Sequence, residues 1–303
     1  MDQQGYEAFF GFSERPFSLT SDPKYYFRSN SHGRVFEALS AGIARRESLL
    51  LVTGELGVGK TTLCRTLMDL LGRKTRAVLV GNAIVSPDDL LRLVLQDLGA
   101  VSKDEMRLGR LTGAACPELE ALLTDFLLRL RSSNDGAVLI VDEAHTLPPS
   151  TVEQILTLAA LESNREKLLQ ILLAGQPSAG GAPMVARSID EQLATRARLL
   201  PLERDECERY VSHRLTIAGG SGALFRTPAI ERIYALSGGV PRLVNVLCER
   251  ALQEAASQGS DRVEPQMIES AASALELLRL KPKRFRWFGT HTRSPRLPIV
   301  ASR

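Results

Sequence analysis

Gly54-Glu-Leu-Gly-Val-Gly-Lys60-Thr61 follows the apolar run Ser48-Leu-Leu-Leu-Val-Thr53 and opens a stretch with helical spacing. This satisfies the phosphate-loop pattern G-x-x-x-x-G-K-[ST] in the strand-to-helix context that gives the pattern its meaning. Glycines let the backbone wrap closely, so that successive N–H groups of Gly54, Glu55, Leu56, Gly57, Val58, Gly59, Lys60 and Thr61 can face phosphate oxygens at the positive end of the following helix. Lys60 is expected to reach β- and γ-phosphates, Thr61 to place its hydroxyl on Mg²⁺, and Thr62 to bond an inner phosphate.

Outward from that loop, short apolar runs recur at Ala77–Val80, Ala137–Val141, Gln170–Ala174 and Ala197–Leu202, with Leu-rich helical spacing between them at Pro87–Leu98, Pro117–Arg131 and Ser150–Leu161. Buried strands alternating with helices predict an α/β fold with a largely parallel sheet. From Glu203 to Leu280 no strand run appears. Arg204–Ile217, Pro228–Ser237, Pro241–Gln258 and Glu264–Leu280 all carry helical spacing, which predicts a small all-helical domain.

The third run ends in Asp142-Glu143. At the carboxyl edge of a nucleotide-hydrolysing sheet, Asp142 would hold Mg²⁺ and Glu143 would orient or deprotonate the attacking water. The tetrad Asp-Glu-Ala-His145 is also a spelling found in RNA helicases, but those need two tandem nucleotide-binding sheets and only one is visible here. Asn82 and Gln176 follow two other strands and so face the same crevice, where each could bond a γ-phosphate, the lytic water or Glu143, or simply shape a turn.

The 303 residues, 44% hydrophobic and 24% charged, exclude a disordered, collagen-like or membrane-embedded chain. Four scattered cysteines without a Cys-x-x-Cys pair argue against a zinc site or a disulfide framework. There is no apolar run of about 18 residues and no basic-then-apolar start, so the chain is expected to be cytoplasmic. Its net charge of +3 conceals a tail, residues 281–303, with seven basic residues and no acid, which leaves −4 for the rest. Such a tail is either a solvated terminus or a contact for nucleic acid, anionic lipid or an acidic partner.

The ordered set of motifs resembles the AAA+ ATPases, specifically the secretion ATPase A (ExeA/GspA-like) family with its exosortase-associated relatives. The likeness rests on Tyr6-x-x-Phe-Phe-Gly11-Phe12, Pro16-Phe17, Asp22-Pro23, Tyr26-Phe27, Gly54–Thr61, Asp142–His145, Leu173-Ala-Gly-Gln-Pro177, Gln192-Leu-Ala-Thr-Arg196 and Ser237-Gly-Gly-Val-Pro-Arg242-Leu-Val-Asn245. The resemblance implies an N-terminal segment (1–45) near the nucleotide, an ATPase core (46–202), a helical lid (203–280) and the tail. It implies that Phe17 and Tyr26 either line the adenine pocket or pack the core. Gln176 matches a sensor, Asn82 a polar switch beside Glu143, and Arg242 the lid's second sensor. Arg196, or failing it Arg198, matches an arginine finger acting on a neighbouring subunit, hence a homo-oligomer. The well-known members continue into a membrane span and a cell-wall-binding domain; this sequence ends in the basic tail instead, so neither is expected.

The function the resemblance implies is that of an ATP-hydrolysing motor or switch serving the assembly or regulation of a secretion, pilus or polysaccharide-export machine, and the basic tail 281–303 adds an expected peripheral contact to the anionic inner membrane. The alternative is an ATP-dependent DNA-binding switch similar to transposition helpers or origin-recognition ATPases. A body charge of −4 speaks against a wide DNA-binding face.

Overall fold

Five parallel strands form the sheet in the computed structural model: β1 (Leu49–Gly54), β2 (Thr75–Val80), β3 (Gly136–Val141), β6 (Gln170–Gly175) and β7 (Thr195–Leu199), while β4 (Glu162–Ser163) and β5 (Glu166–Lys167) make a separate small hairpin. The structure describes residues 5–72, 74–81, 86–102, 104–105, 109, 111, 113–177, 189, 191–221 and 223–275. Strand order across the sheet is β2-β3-β6-β1-β7, which puts the phosphate-loop strand between β6 and β7 and one place removed from β3. Because all five run the same way, their carboxyl ends share one edge, and it is there that Gly54, Val141 and Gly175 hand the chain to the site loops.

The three central strands β3, β6 and β1 are buried on both faces, as their near-continuous apolar runs require. Leu49, Leu51, Leu139, Val141, Ile171 and Leu173 face one way and pack with helices α4 (Pro87–Asp97), α5 (Cys116–Ser132) and α6 (Pro149–Ala160). Their alternating neighbours Leu50, Val52, Val138, Ile140, Leu172 and Ala174 face α2 (Asn30–Ala44) and α3 (Lys60–Leu70). A second core is formed by the bundle α7 (Arg204–Ile217), α8 (Thr227–Ser237), α9 (Pro241–Ser257) and α10 (Pro265–Ala274).

Both edge strands begin earlier than expected, β2 at Thr75 rather than Ala77. The fifth strand begins at Thr195 rather than Ala197 and ends at Leu199. It lies at the sheet edge, where Thr195-Arg-Ala-Arg alternates between the covered and the exposed face, so an apolar run could not mark its start. Pro201 cannot donate to a ladder, and Leu202 already belongs to the bundle core. The last helix is described only to Ala274, and residues 276–303, with the basic tail, lie outside the described residues. The N-terminal stretch is shared between the two cores. Helix α1 (Tyr6–Phe10) with Phe12 and Phe17 joins the bundle, whereas α2 covers the sheet. Among the described residues no helix is long and apolar enough to cross a membrane.

Candidate functional site

A crevice opens where the phosphate loop, the start of α9 and the strap Leu19–Phe27 converge, and Gly57 through Thr62, Glu143 and Arg242 line it. The loop turns through two left-handed glycines, Gly57 (φ +80°) and Gly59 (φ +103°), a conformation that side chains resist. At Gly57 a Cβ would also lie 2.7 Å from Cβ of Arg242, because the Arg242 backbone N–H donates to Gly57 O at 3.1 Å. Glu55 and Leu56 form the exposed crest, and Val58 is fully buried beneath it.

Lys60 is 4% exposed and folds back so that Nζ donates to Gly54 O at 3.0 Å and Glu55 O at 3.1 Å. Burial pulls its pKa down, and the Glu143 and Asp142 carboxylates oppose that pull. The neighbouring Thr61 hydroxyl donates to Asp142 Oδ2 at 2.5 Å, joining the start of α3 to the end of β3. Asp142 is itself nearly buried, and its other oxygen accepts the Glu143 backbone N–H at 2.9 Å. A hydroxyl and a carboxylate held together in this way are a hard-oxygen donor pair, which fits Mg²⁺ completed by phosphate and water oxygens.

Glu143 takes a left-handed backbone (φ +53°), leaves the strand line and starts a 3-10 turn over Ala144–Thr146. Its Oε2 accepts from Gln176 Nε2 at 3.4 Å and lies 3.5 Å from His145 Nδ1, and the Gln176 backbone N–H reaches the same Nδ1 at 3.4 Å. The β3 and β6 edges therefore meet at the carboxylate. In the sequence His145 stands out only as the last letter of the tetrad, and no role attaches to it there.

Other expected residues fall elsewhere. Arg196 and Arg198 share the outward face of β7, exposed, and neither lines the crevice. Asn82 lies outside the described residues. Phe17 takes the second course the sequence leaves open: it is 1% exposed and packs edge-on against Phe225 in the bundle. Tyr26 does line the crevice, with its hydroxyl donating to His32 O at 3.1 Å and burial pushing its pKa up to about 12.

Several lining residues carry no signal in the sequence. Arg214, 3% exposed, donates to Pro16 O, Ser18 O and the Tyr210 hydroxyl, and lies over the Tyr25 ring at 4.3 Å. It ties the strap to the bundle, and Tyr210 passes the connection on to Asn245 Oδ1 at 2.9 Å. His32 stands behind the loop, its Nε2 2.9 Å from Val58 O. Single polar residues on helices carry no such information until the partner strand or strap is placed.

The AAA domain family matches residues 43–181. General secretion pathway protein A of Aeromonas hydrophila is 36% identical over 261 residues, 85% of this chain and 46% of that protein, so the chain spans about half the length of this relative. Among solved structures, the ORC2 protein of Aeropyrum pernix superposes with a TM-score of 0.68 at 16% identity, covering 88% of this chain and 72% of that one. Cdc6p from Pyrobaculum aerophilum gives 0.69 at 16% identity over 88% and 74%. The RuvB Holliday junction branch migration motor of Thermotoga maritima gives 0.53 at 19% over 86% and 72%. At these identities the three structures share the fold with this chain.

Proposed function

The chain belongs to the AAA+ family of P-loop ATPases, in the group related to general secretion pathway protein A, and from that premise we propose that it binds ATP in this crevice and hydrolyses it. The observation that carries the reading is the Thr61–Asp142 contact with Glu143 beside it, which joins a phosphate loop to a metal-side acid and a candidate base at one sheet edge.

In the proposed mechanism the loop amides from Gly54 to Thr61 bind the triphosphate, and Lys60 exchanges its two carbonyl acceptors for phosphate oxygens. Thr62 bonds an inner phosphate. Thr61 and Asp142 hold Mg²⁺, which neutralises charge on the phosphates when bound. Glu143 accepts the proton of the attacking water, and Gln176 orients Glu143 or the γ-phosphate. Asn82 is assigned the same neighbourhood. Arg242 closes the bundle over the γ-phosphate, and Arg196, with Arg198 as second candidate, reaches the nucleotide of an adjacent copy. Its exposed place on an edge strand, away from its own crevice, suits action in trans.

The biological role proposed is motor or switch for a secretion, pilus or polysaccharide-export machine of the cell envelope, worked from the cytoplasm, with tail 281–303 resting on anionic lipid. ATP turnover that disappears with Lys60→Ala, together with flotation on phosphatidylglycerol vesicles that disappears on deleting 281–303, is the expected pair of results. Turnover equal to the parent in Lys60→Ala would defeat the ATPase reading, and tail-independent flotation would defeat the membrane one.

A further inference from the structure

His32, 5% exposed, sits in the first turn of α2 with both ring nitrogens engaged. Nε2 lies 2.9 Å from Val58 O, and a carbonyl only accepts, so Nε2 carries the hydrogen. Nδ1 is then the acceptor. The Ser29 hydroxyl, 2.7 Å away, donates to it, while Ser29 Oγ accepts the His32 backbone N–H at 3.2 Å. One neutral tautomer satisfies the whole ring, and burial favours that form by lowering the pKa.

The bonded carbonyl belongs to the Val58–Gly59 peptide in the middle of the phosphate loop. A trans peptide is planar, with C=O and N–H pointing in opposite directions. Holding Val58 O toward the His32 ring therefore turns the Gly59 N–H away from that ring and fixes the plane of the peptide. The ring also closes the back of the loop, because a Cβ on Gly59 would lie 3.2 Å from Nε2.

The helix that carries His32 is itself pinned. The backbone N–H of Asn30, first residue of α2, donates to Glu206 Oε1 at 2.6 Å, and Glu206 Oε2 accepts the Glu203 N–H at the start of α7 at 2.9 Å. One carboxylate, 1% exposed, thus serves the positive ends of two helices, one under the sheet and one in the bundle. A continuous hydrogen-bonded path runs from the bundle through Glu206 and α2 to the phosphate loop.

We propose that His32, polarised by Ser29 and held in register by Glu206, is a positioning residue that fixes the Val58–Gly59 peptide for triphosphate binding. The inference rests on reading the crevice as an ATP site. Because the ring acts on the phosphate loop, its loss weakens ligands that carry phosphates and spares those that do not.

The test measures binding of a fluorescent ATP analogue, with unlabelled ATP and adenosine as competitors, to the full chain and its variants, each checked by thermal melting. His32→Phe keeps the volume and removes the donor, and it is expected to weaken ATP about tenfold, which is about 1.4 kcal/mol, with adenosine within about twofold. His32→Gln, whose amide N–H can reach Val58 O, is expected to recover most of that loss. Parent-like ATP affinity in His32→Phe, equal loss of ATP and adenosine, or no recovery in His32→Gln overturns the proposal. Should His32→Phe not fold, Ser29→Ala carries the test: a ratio of ATP to adenosine affinity about threefold lower supports the proposal and an unchanged ratio overturns it. A parent chain that binds no ATP removes the functional reading and this inference together. ATP binding that is lost in Lys60→Ala and intact in His32→Phe removes the inference alone.

Discussion

Thr61 and Asp142, 81 positions apart in the chain, meet as hydroxyl donor and carboxylate acceptor at 2.5 Å. The contact exists because β1 and β3 end on the same edge with only β6 between them. Either residue alone would be an ordinary helix-start threonine or strand-end aspartate, and it is their proximity that puts two oxygens suited to a hard cation side by side.

If Thr61 and Asp142 hold Mg²⁺, Asp142→Asn should raise the Mg²⁺ concentration for half-maximal turnover by about tenfold or more, in keeping with the loss of one charged oxygen ligand. Thr61→Ala should shift it in the same direction by less, since it removes a neutral donor. EDTA should abolish turnover in the parent chain. A titration of initial rate against Mg²⁺ reads all three, and superimposable curves would refute the assignment.

Gln176 and His145 both approach Glu143 Oε2, at 3.4 and 3.5 Å. Gln176→Ala should lower kcat by about tenfold to a hundredfold while leaving KM for ATP within about threefold, the signature of an interaction made on the reacting side of the site rather than in binding. Steady-state kinetics decide this. A change confined to KM would place Gln176 in nucleotide binding instead.

Arg196 lies exposed on the edge strand, outside its own crevice. Action in trans predicts a specific activity that rises with protein concentration, and Arg196→Ala should remove that rise and lower the plateau by about a hundredfold or more. Mixing Arg196→Ala with Lys60→Ala should restore part of the activity, because each then supplies what the other lacks. Concentration-independent turnover would contradict a shared site.

His32 and His213 are both shifted below the ordinary histidine range, His32 by burial, with the Val58 bond and the Glu206 charge opposing, and His213 by burial and the charge of Arg214. In the unfolded chain they take up protons near pH 6.5, which the folded chain resists. Their contribution to stability is therefore complete above that pH and is lost as pH falls toward the lower folded values. Melting temperature should drop between pH 7.5 and 5.5, and less steeply in His32→Gln. A flat profile across that interval would rule out the buried neutral ring.

Much of this architecture is legible in the residues. Buried parallel strands are apolar on both faces, so Leu49–Val52, Val138–Val141 and Ile171–Ala174 stand out as runs, and the phosphate loop is fixed by its own spacing. The edge strand is harder to bound because Arg196 and Arg198 face outward and break the run. Helix α2 escapes the strand-and-helix alternation, although Val35, Leu39 and Ile43 repeat at helical spacing behind the Ser29 cap. The roles of His32, Glu206 and Arg214 cannot be read from sequence at all. Their partners Val58, Asn30 and Pro16 lie 26, 176 and 198 positions away, and only the packing of α2 and the strap against loop and bundle brings them together.

In the proposed mechanism Glu143 activates water, and ATP is expected to bind without its help. Nucleotide binding and single-turnover hydrolysis in Glu143→Gln, beside Lys60→Ala, put that assignment to its sharpest trial. ATP affinity within about threefold of the parent with turnover reduced about a hundredfold to ten-thousandfold in Glu143→Gln, and loss of binding in Lys60→Ala, is the expected outcome. Parent-rate hydrolysis by Glu143→Gln would remove Glu143 as the base and the proposed mechanism with it.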